Sequence, residues 1–321
     1  MSGLGPALPR LGMGTAAIGN LYRPIGDAEA EATVAAALEA GIGYFDTAPH
    51  YGFGLAEARL GRALAGRGDV LVSTKVGRRL VPTSDPATTR HGFAEALPYE
   101  PVFDYTADGV RRSFEDSLGR LRRDRVDLLL AHDLGALTHG ADHAARLREF
   151  LDGGYPAMRA LRDAGLTRAI GIGVNEIAIC LELIDRVELD VILLAGRYSL
   201  LDRAAAETLL PRCAARGIRV IIGGPYNSGI LARPLAEADQ LFFDYAPAPA
   251  PLIARARALE ALCRGCGVAL PAAALQFPLT HPAVACVIPG LAGAAEVAET
   301  IARMAAPIPP HLWSALQEEP A

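Results

Sequence analysis

The chain has 321 residues, enough for two ordinary domains or one large barrel. Hydrophobic residues make up 51% and charged residues 21%, which excludes a disordered chain. The formal net charge of -5 argues against a nucleic-acid polyanion or an anionic membrane surface as main partner, and no apolar run is long enough to span a membrane.

In chain order, eight short apolar segments read as strands: Leu11–Ala17, Tyr44–Thr47, Val70–Lys75, Val126–His132, Ala169–Val174, Val191–Ala195, Arg219–Gly223 and Ala285–Pro289. Helical patterns alternate with them: Asp27–Ala40, Gly54–Ala65, Thr106–Arg122, Tyr155–Ala164, Glu176–Arg186, Arg203–Arg216, Pro251–Arg264 and Ala294–Met304. Asp27 reads as the N-cap of the first helix and Gly41 as its stop. Apolar strands separated by helices describe a parallel sheet buried on both faces. Eight such units over this length predict a (β/α)8 TIM barrel as one domain over 1–321, with a doubly wound sheet as the other architecture. No G-x-G-x-x-G follows an early strand, which weakens a Rossmann unit.

Three connections are long: Val76–Tyr105, Asp133–Gly154 and Pro225–Ala250. Each follows a strand, so in a barrel all three lie at the C-terminal face, where long loops shape the active site. The last carries Phe242, Phe243 and Tyr245 and is expected to fold over a ligand.

No metal site is expected. Cys263-Arg-Gly-Cys266 lacks a second ligand pair and reads as two thiols at a helix end. His139 and His143 read as a solvated loop. The five cysteines are odd in number and give no disulfide framework, and the N-terminus lacks the features of a signal peptide. The expected location is the cytoplasm.

Of 31 basic residues only Lys75 is a lysine. Under a bias that turns lysines into arginines, the exception marks a place where a guanidinium fails, since an amine is compact and loses its proton more readily; chance survival is the other reading. Lys75 ends the third strand, Asp46 the second and His132 the fourth, while Tyr51 lies in the loop after Asp46. Read singly, Asp46 fits a loop cap, Tyr51 a packed ring and His132 a satisfied core imidazole. Together on three consecutive strands they make a coherent set. A phenol has an ordinary pKa near 10, and an adjacent ammonium lowers it. A carboxylate holds the lysine, and a histidine orients the substrate oxygen. Such a group suits proton transfer during hydride transfer.

At these residues the sequence resembles the aldo-keto reductase superfamily. The match runs through Phe45-Asp46-Thr47-Ala48-x-x-Tyr51-Gly52, Thr74-Lys75, His132, Gly171-Ile172-Gly173-Val174-Asn175 and Ile288-Pro289-Gly290. The resemblance implies a barrel, an extended nicotinamide cofactor, and the tetrad Asp46, Tyr51, Lys75 and His132 with Tyr51 as acid/base. The segments Tyr105–Leu118, Leu194–Leu201 and Gly223–Leu231 look like the branch of aldose and L-fucose 1-dehydrogenases and pyridoxal 4-dehydrogenases, which oxidise a cyclic hemiacetal to a lactone.

The resemblance also implies cofactor contacts at Asn175, Gly223, Gly224, Pro225, Asn227, Ser228, Gly229, Leu231, Pro289, Gly290, Glu296 and Glu299. The superfamily's stacking tyrosine aligns with Gly223 or Gly224, and its carboxamide-binding glutamine with Ala195, which leaves Asn175 for the carboxamide. No Lys, Arg or Ser lies between Gly290 and Thr300. With Glu296 beside the expected 2′-phosphate position, NAD is the expected cofactor over NADP. The expected function is NAD-dependent oxidation of a small-molecule aldose at its anomeric carbon. Pyridoxal oxidation, aldehyde or ketone reduction, and a non-catalytic nicotinamide-binding subunit are the alternatives.

Overall fold

The computed structural model describes residues 6–237, 240–244 and 246–318. Its main sheet has eight strands in sequence order. They are β1 (Met13–Gly14), β2 (Tyr44–Asp46), β3 (Leu71–Val76), β4 (Leu128–His132), β5 (Ala169–Val174), β6 (Val191–Ala195), β7 (Arg219–Gly223) and β8 (Val284–Ile288). Every ladder is parallel. The last strand returns to the first through the bridges Leu11–Val287 and Gly14–Gly290. This is a (β/α)8 barrel, as expected, and not an open doubly wound sheet. Its principal helices are α1 (Asp27–Glu39), α2 (Leu55–Ala63), α3 (Ala107–Leu121), α4 (Tyr155–Asp163), α5 (Ile177–Ile184), α6 (Leu209–Arg216), α7 (Ala250–Gly265), α8 (Leu270–Gln276), α9 (Ala294–Ala305) and α10 (Pro310–Glu318). No single helix among the described residues is long and apolar enough to cross a membrane.

The strands are apolar on both faces because they serve two cores. Tyr44, Leu128, Leu130, Ala169, Val191, Leu193, Ile221, Cys286 and Ile288 fill the lumen. Their alternating neighbours, such as Phe45, Val72, Leu129, Ile170, Ile192 and Val220, pack outward with the helices. Burying six to eight such side chains at roughly 1.5–3 kcal/mol each already exceeds the net stability of an ordinary domain before chain entropy is subtracted.

Several local expectations change. Asp27 is the first helical residue and Gly26 the N-cap. The Asp27 carboxylate is drawn away by Arg59 and Arg62, at 2.8 and 2.7 Å. Helix α6 starts at Leu209, not Arg203. Pro211 tolerates only the first turn, because further inside it would clash with the preceding turn. The connection after β4 is helical: Ala136–His139 and His143–Glu149 run through a π-turn at Phe150–Gly154 into α4. Burial of Leu147, Phe150, Tyr155 and Met158 overrides the Gly153-Gly154 pair. His139 is not a solvated loop residue; its ring packs on Phe103 with centroids 4.5 Å apart.

The connection after β3 forms two hairpins, Arg78–Pro82 with Tyr99–Phe103 and Thr89–Arg90 with Phe93–Ala94. In the third, Phe242–Phe243 pairs with Ala246–Pro247; Tyr245 lies outside the described residues. All five cysteines are unpaired, and Cys263 and Cys266 stand at the end of α7.

Candidate active site

Strand phase brings the chemistry together. Tyr44 faces the lumen, so Asp46, two residues on, does too. The same alternation points Ser73 and Lys75 inward on β3 and His132 inward after Leu128 and Leu130 on β4. Each of Asp46, Lys75 and His132 is at or near the C-terminal end of its strand and is buried. Gly173 on β5 makes room: a Cβ there would stand 3.1 Å from Lys75 Cε.

Lys75 Nζ donates to Asp46 Oδ2 at 2.7 Å, to the Thr47 carbonyl at 2.9 Å and to Tyr51 Oη at 3.1 Å. An ammonium has three protons, and these three acceptors use them all. The Tyr51 oxygen therefore accepts from Lys75, and its own proton is directed elsewhere. The His132 ring meets the Tyr51 ring edge-on, centroids 6.1 Å apart. All four residues singled out in the sequence thus share one cluster.

Further residues hold them. Ser73 Oγ donates to Asp46 Oδ1 at 2.6 Å, so the Tyr44 hydroxyl, 2.8 Å from Ser73 Oγ, is the donor in that contact. The Tyr105 hydroxyl donates to the His132 carbonyl at 2.7 Å, with the Asp133 carbonyl at 3.1 Å. With that proton committed, His139 Nε2, at 3.0 Å, is the donor to the Tyr105 oxygen. Arg78 Nη2 donates to Asp133 Oδ2 at 2.5 Å, and that same oxygen lies 3.5 Å from His132 Nε2. Tyr44, Ser73, Tyr105 and Arg78 were not singled out from sequence. For Tyr44 and Ser73 the signal was present, since each precedes a grouped residue by two on the same strand; Tyr105 and Arg78 reach His132 only through loop geometry.

The electrostatics are those of a dry site with a fixed positive charge. Burial pulls the Lys75 ammonium down, but the Asp46 carboxylate and the Tyr51 oxygen outweigh it and leave its pKa raised. Burial, aided by Lys75 and Arg78, holds the His132 imidazole well below its usual range, so it is neutral.

The residues matched to cofactor contacts fall at the mouth formed by the ends of β5, β7 and β8. After β7 the chain turns through four left-handed residues, Gly224, Asn227, Ser228 and Gly229. No atom lies within 4 Å of a Cβ built on Gly224 or Gly290, which leaves open main chain at both strand ends. Pro289 accepts from Gly14 N–H through its carbonyl at 2.9 Å. Among the described residues nothing bonds the Asn175 side chain, while its carbonyl accepts from Arg197 Nε at 2.7 Å. Arg197 also grips both Asp244 oxygens, at 2.9 and 2.8 Å, tying the Phe242 hairpin to Asn175.

Two positions differ from expectation. Leu231 is a core residue with a fully buried side chain, because its N–H is turned back onto the Tyr226 carbonyl and its side chain packs in the outer shell. The Asn227 amide is engaged by Ser199 Oγ and by the Gly196 carbonyl, so it braces the turn. At the end of the barrel, Glu296 accepts from Ala292 N–H at 2.8 Å and Glu299 pairs with Arg303 at 2.7 Å. A cation does reach this segment from elsewhere: Arg23 Nη2 lies 3.4 Å from the Ala292 carbonyl, with its charge met by Glu29 at 3.0 Å.

Comparison with known proteins agrees with this geometry. The aldo/keto reductase family model matches residues 10–319. The chain is 40% identical to a pyridoxal 4-dehydrogenase of Microbacterium luteolum, over 98% of this chain and 95% of that protein. It is 38% identical to a D-threo-aldose 1-dehydrogenase of a Pseudomonas species, over 98% and 94%. Among solved structures, a holo-form aldo-keto reductase of Bacillus halodurans superposes with a TM-score of 0.74 at 26% identity, covering 96% of this chain and 91% of that one.

Proposed function

The chain belongs to the aldo/keto reductase family of NAD(P)-dependent oxidoreductases, and we propose that within it the protein oxidises cyclic hemiacetals with NAD, acting at the anomeric carbon of an aldose of the L-fucose or D-threo type to give a lactone. The observation that carries this reading is the 3.1 Å contact from Lys75 Nζ to Tyr51 Oη, backed by the buried Asp46.

The bound nicotinamide supplies the hydride acceptor. Asn175 and the open main chain at Gly224, Gly229 and Gly290, with Gly223, Pro225, Ser228 and Pro289 beside them, would hold the dinucleotide, with Glu296 or Glu299 near its ribose. The substrate hydroxyl sits between Tyr51 and the neutral His132, whose ring fixes the oxygen without charging it. Tyr51, biased toward phenolate by the Lys75 ammonium, takes the hydroxyl proton as the C–H bond breaks. The proton and the electron pair thus leave the substrate by separate routes, and a C=O bond forms at C1. General acid/base groups of this kind contribute typically about 10²–10⁴-fold.

Pyridoxal, whose hemiacetal allows the same chemistry, is the second reading; the relative at 40% identity favours it. Absorbance at the reduced-nicotinamide band with L-fucose, D-arabinose, L-galactose, D-glucose and pyridoxal separates the two. Turnover of a sugar that falls at least about a hundredfold in Tyr51→Phe, with dinucleotide binding retained, is the expected result. No oxidation of any of the five sinks the dehydrogenase reading, and Tyr51→Phe within a few-fold of the parent sinks the role of Tyr51.

A further inference from the structure

One more ionisable ring belongs to the same cluster and takes no part in the proton transfer. His50 directly precedes Tyr51. Its ring centroid is 6.0 Å from His132, 5.3 Å from Phe93 and 5.8 Å from His91. Its Nδ1 is buried with no hydrogen-bond partner among the described residues. The residue as a whole is only half-buried, and its Nε2 is neither bonded nor buried among the described residues, so the accessible edge of the ring carries Nε2. Burial, followed by the Arg78 guanidinium, pushes this imidazole down to about 2, so the ring is a neutral donor or acceptor and not a cation. A residue needed only to fill space beside Phe53 and Phe93 would leave no polar atom stranded.

Tyr51 and His50 flank His132 at nearly equal centroid distances, 6.1 and 6.0 Å. An oxygen held by Tyr51 and His132 therefore lies in a cluster that holds a second imidazole, about as near to His132 as Tyr51 is. We infer that His50 is a specificity-determining residue, its Nε2 hydrogen-bonding a second hydroxyl that the substrate carries one or two carbons from the reacting centre. The inference rests on the hemiacetal-oxidising reading above and sharpens it. Aldoses carry such a hydroxyl at C2, and pyridoxal carries its phenolic hydroxyl beside the formyl group. A site built around a substrate hydroxyl rejects the analogue lacking it, because its own polar atom is then left unpaired.

The test is a ratio: kcat/KM for D-arabinose over that for its 2-deoxy analogue, with NAD, in the parent, His50→Phe and His50→Gln. Phenylalanine keeps a ring against Phe93 and removes Nε2; glutamine returns an amide at similar reach. The ratio is expected to fall at least threefold in His50→Phe and to be restored above that threshold in His50→Gln. A ratio in His50→Phe that falls less than threefold, including equal loss on both sugars, overturns the inference. If the parent oxidises neither of these two sugars, the sugar reading is judged by the five-compound panel above and not by His50. The same ratio is then taken in reduction with NADH, using glyceraldehyde against 3-hydroxypropanal, and the threefold threshold decides His50 there.

Discussion

Lys75 and Asp46 form an ion pair 2.7 Å long in which each side chain is 2% exposed. Such a pair is a poor source of stability, because desolvation cancels most of its attraction, and a pair of well-packed apolar residues would do as well. Its use is chemical. It keeps a full positive charge in a dry lumen beside a phenol oxygen, where that charge favours the phenolate.

The three acceptors around Lys75 diverge, and this makes a sharp expectation for the chain's one lysine. Arginine is longer and planar, and its fork cannot serve Asp46, the Thr47 carbonyl and Tyr51 from one point. Lys75→Arg should lose nearly as much kcat as Lys75→Met. Lys75→Met should also cost about 3–5 kcal/mol, because Asp46 is left buried and unpaired. Steady-state kinetics and urea midpoints check both, and a wild-type rate and pH profile in Lys75→Arg would mean that the lysine survives by chance.

Tyr105 should transmit a distant substitution to His132. Gly77 has φ +99, and a Cβ there would meet Tyr105 Cε1 at 2.2 Å and Cδ1 at 2.6 Å, so the fully buried ring has to move. Gly77→Ala is expected to lower stability by about 1–3 kcal/mol from backbone strain alone. It should also reduce kcat, as the Tyr105 hydroxyl leaves the His132 carbonyl. Tyr105→Phe, which keeps the ring, should reduce kcat with a stability loss of only about 1 kcal/mol. Parent-like kcat in both variants would uncouple Tyr105 from the site.

The two depressed imidazoles predict acid lability. His50 is depressed to about 2 and His132 lies well below its usual range, in each case by burial first and then by neighbouring cations. Both are neutral when folded and take protons once unfolded, below about pH 6.5. Their stabilisation is therefore complete above that pH and is lost as the pH falls, by up to about 1.4 kcal/mol per pH unit for each ring. Urea midpoints at pH 7.5 and 5.5 should differ accordingly, and His50→Phe should remove about one proton from the dependence. An unchanged slope in that variant would show that His50 is not held neutral by the fold.

Cofactor preference turns on the segment after β8. It carries Glu296 and no cation of its own, and the Arg23 that reaches it is already paired with Glu29. NAD is expected to be preferred over NADP by at least about tenfold in kcat/KM, about 1.4 kcal/mol. Glu29→Gln, which releases Arg23, should narrow the gap. Kinetics with both cofactors on one substrate decide this, and equal or better use of NADP by the parent refutes it.

The barrel was legible in the sequence because strands buried on both faces, repeated eight times between helices, leave few other ways to pack. Three strands, Ala169–Val174, Val191–Ala195 and Arg219–Gly223, have the boundaries read from sequence, since each is a short apolar run between helix signals. Asp46, Lys75 and His132 stood out because ionisable groups at the ends of apolar strands are costly unless used. Only the tertiary structure decided the rest. The apolar strands do not announce which phase faces the lumen; the closed sheet does, and with it come Tyr44 and Ser73. Tyr105, Arg78 and Arg23 reach the site across long stretches of chain, and local pattern carries no trace of such contacts. The connection after β4 became helical because burial of Phe150 and Tyr155 outweighs two glycines, a balance that exists only once the barrel is there to bury them.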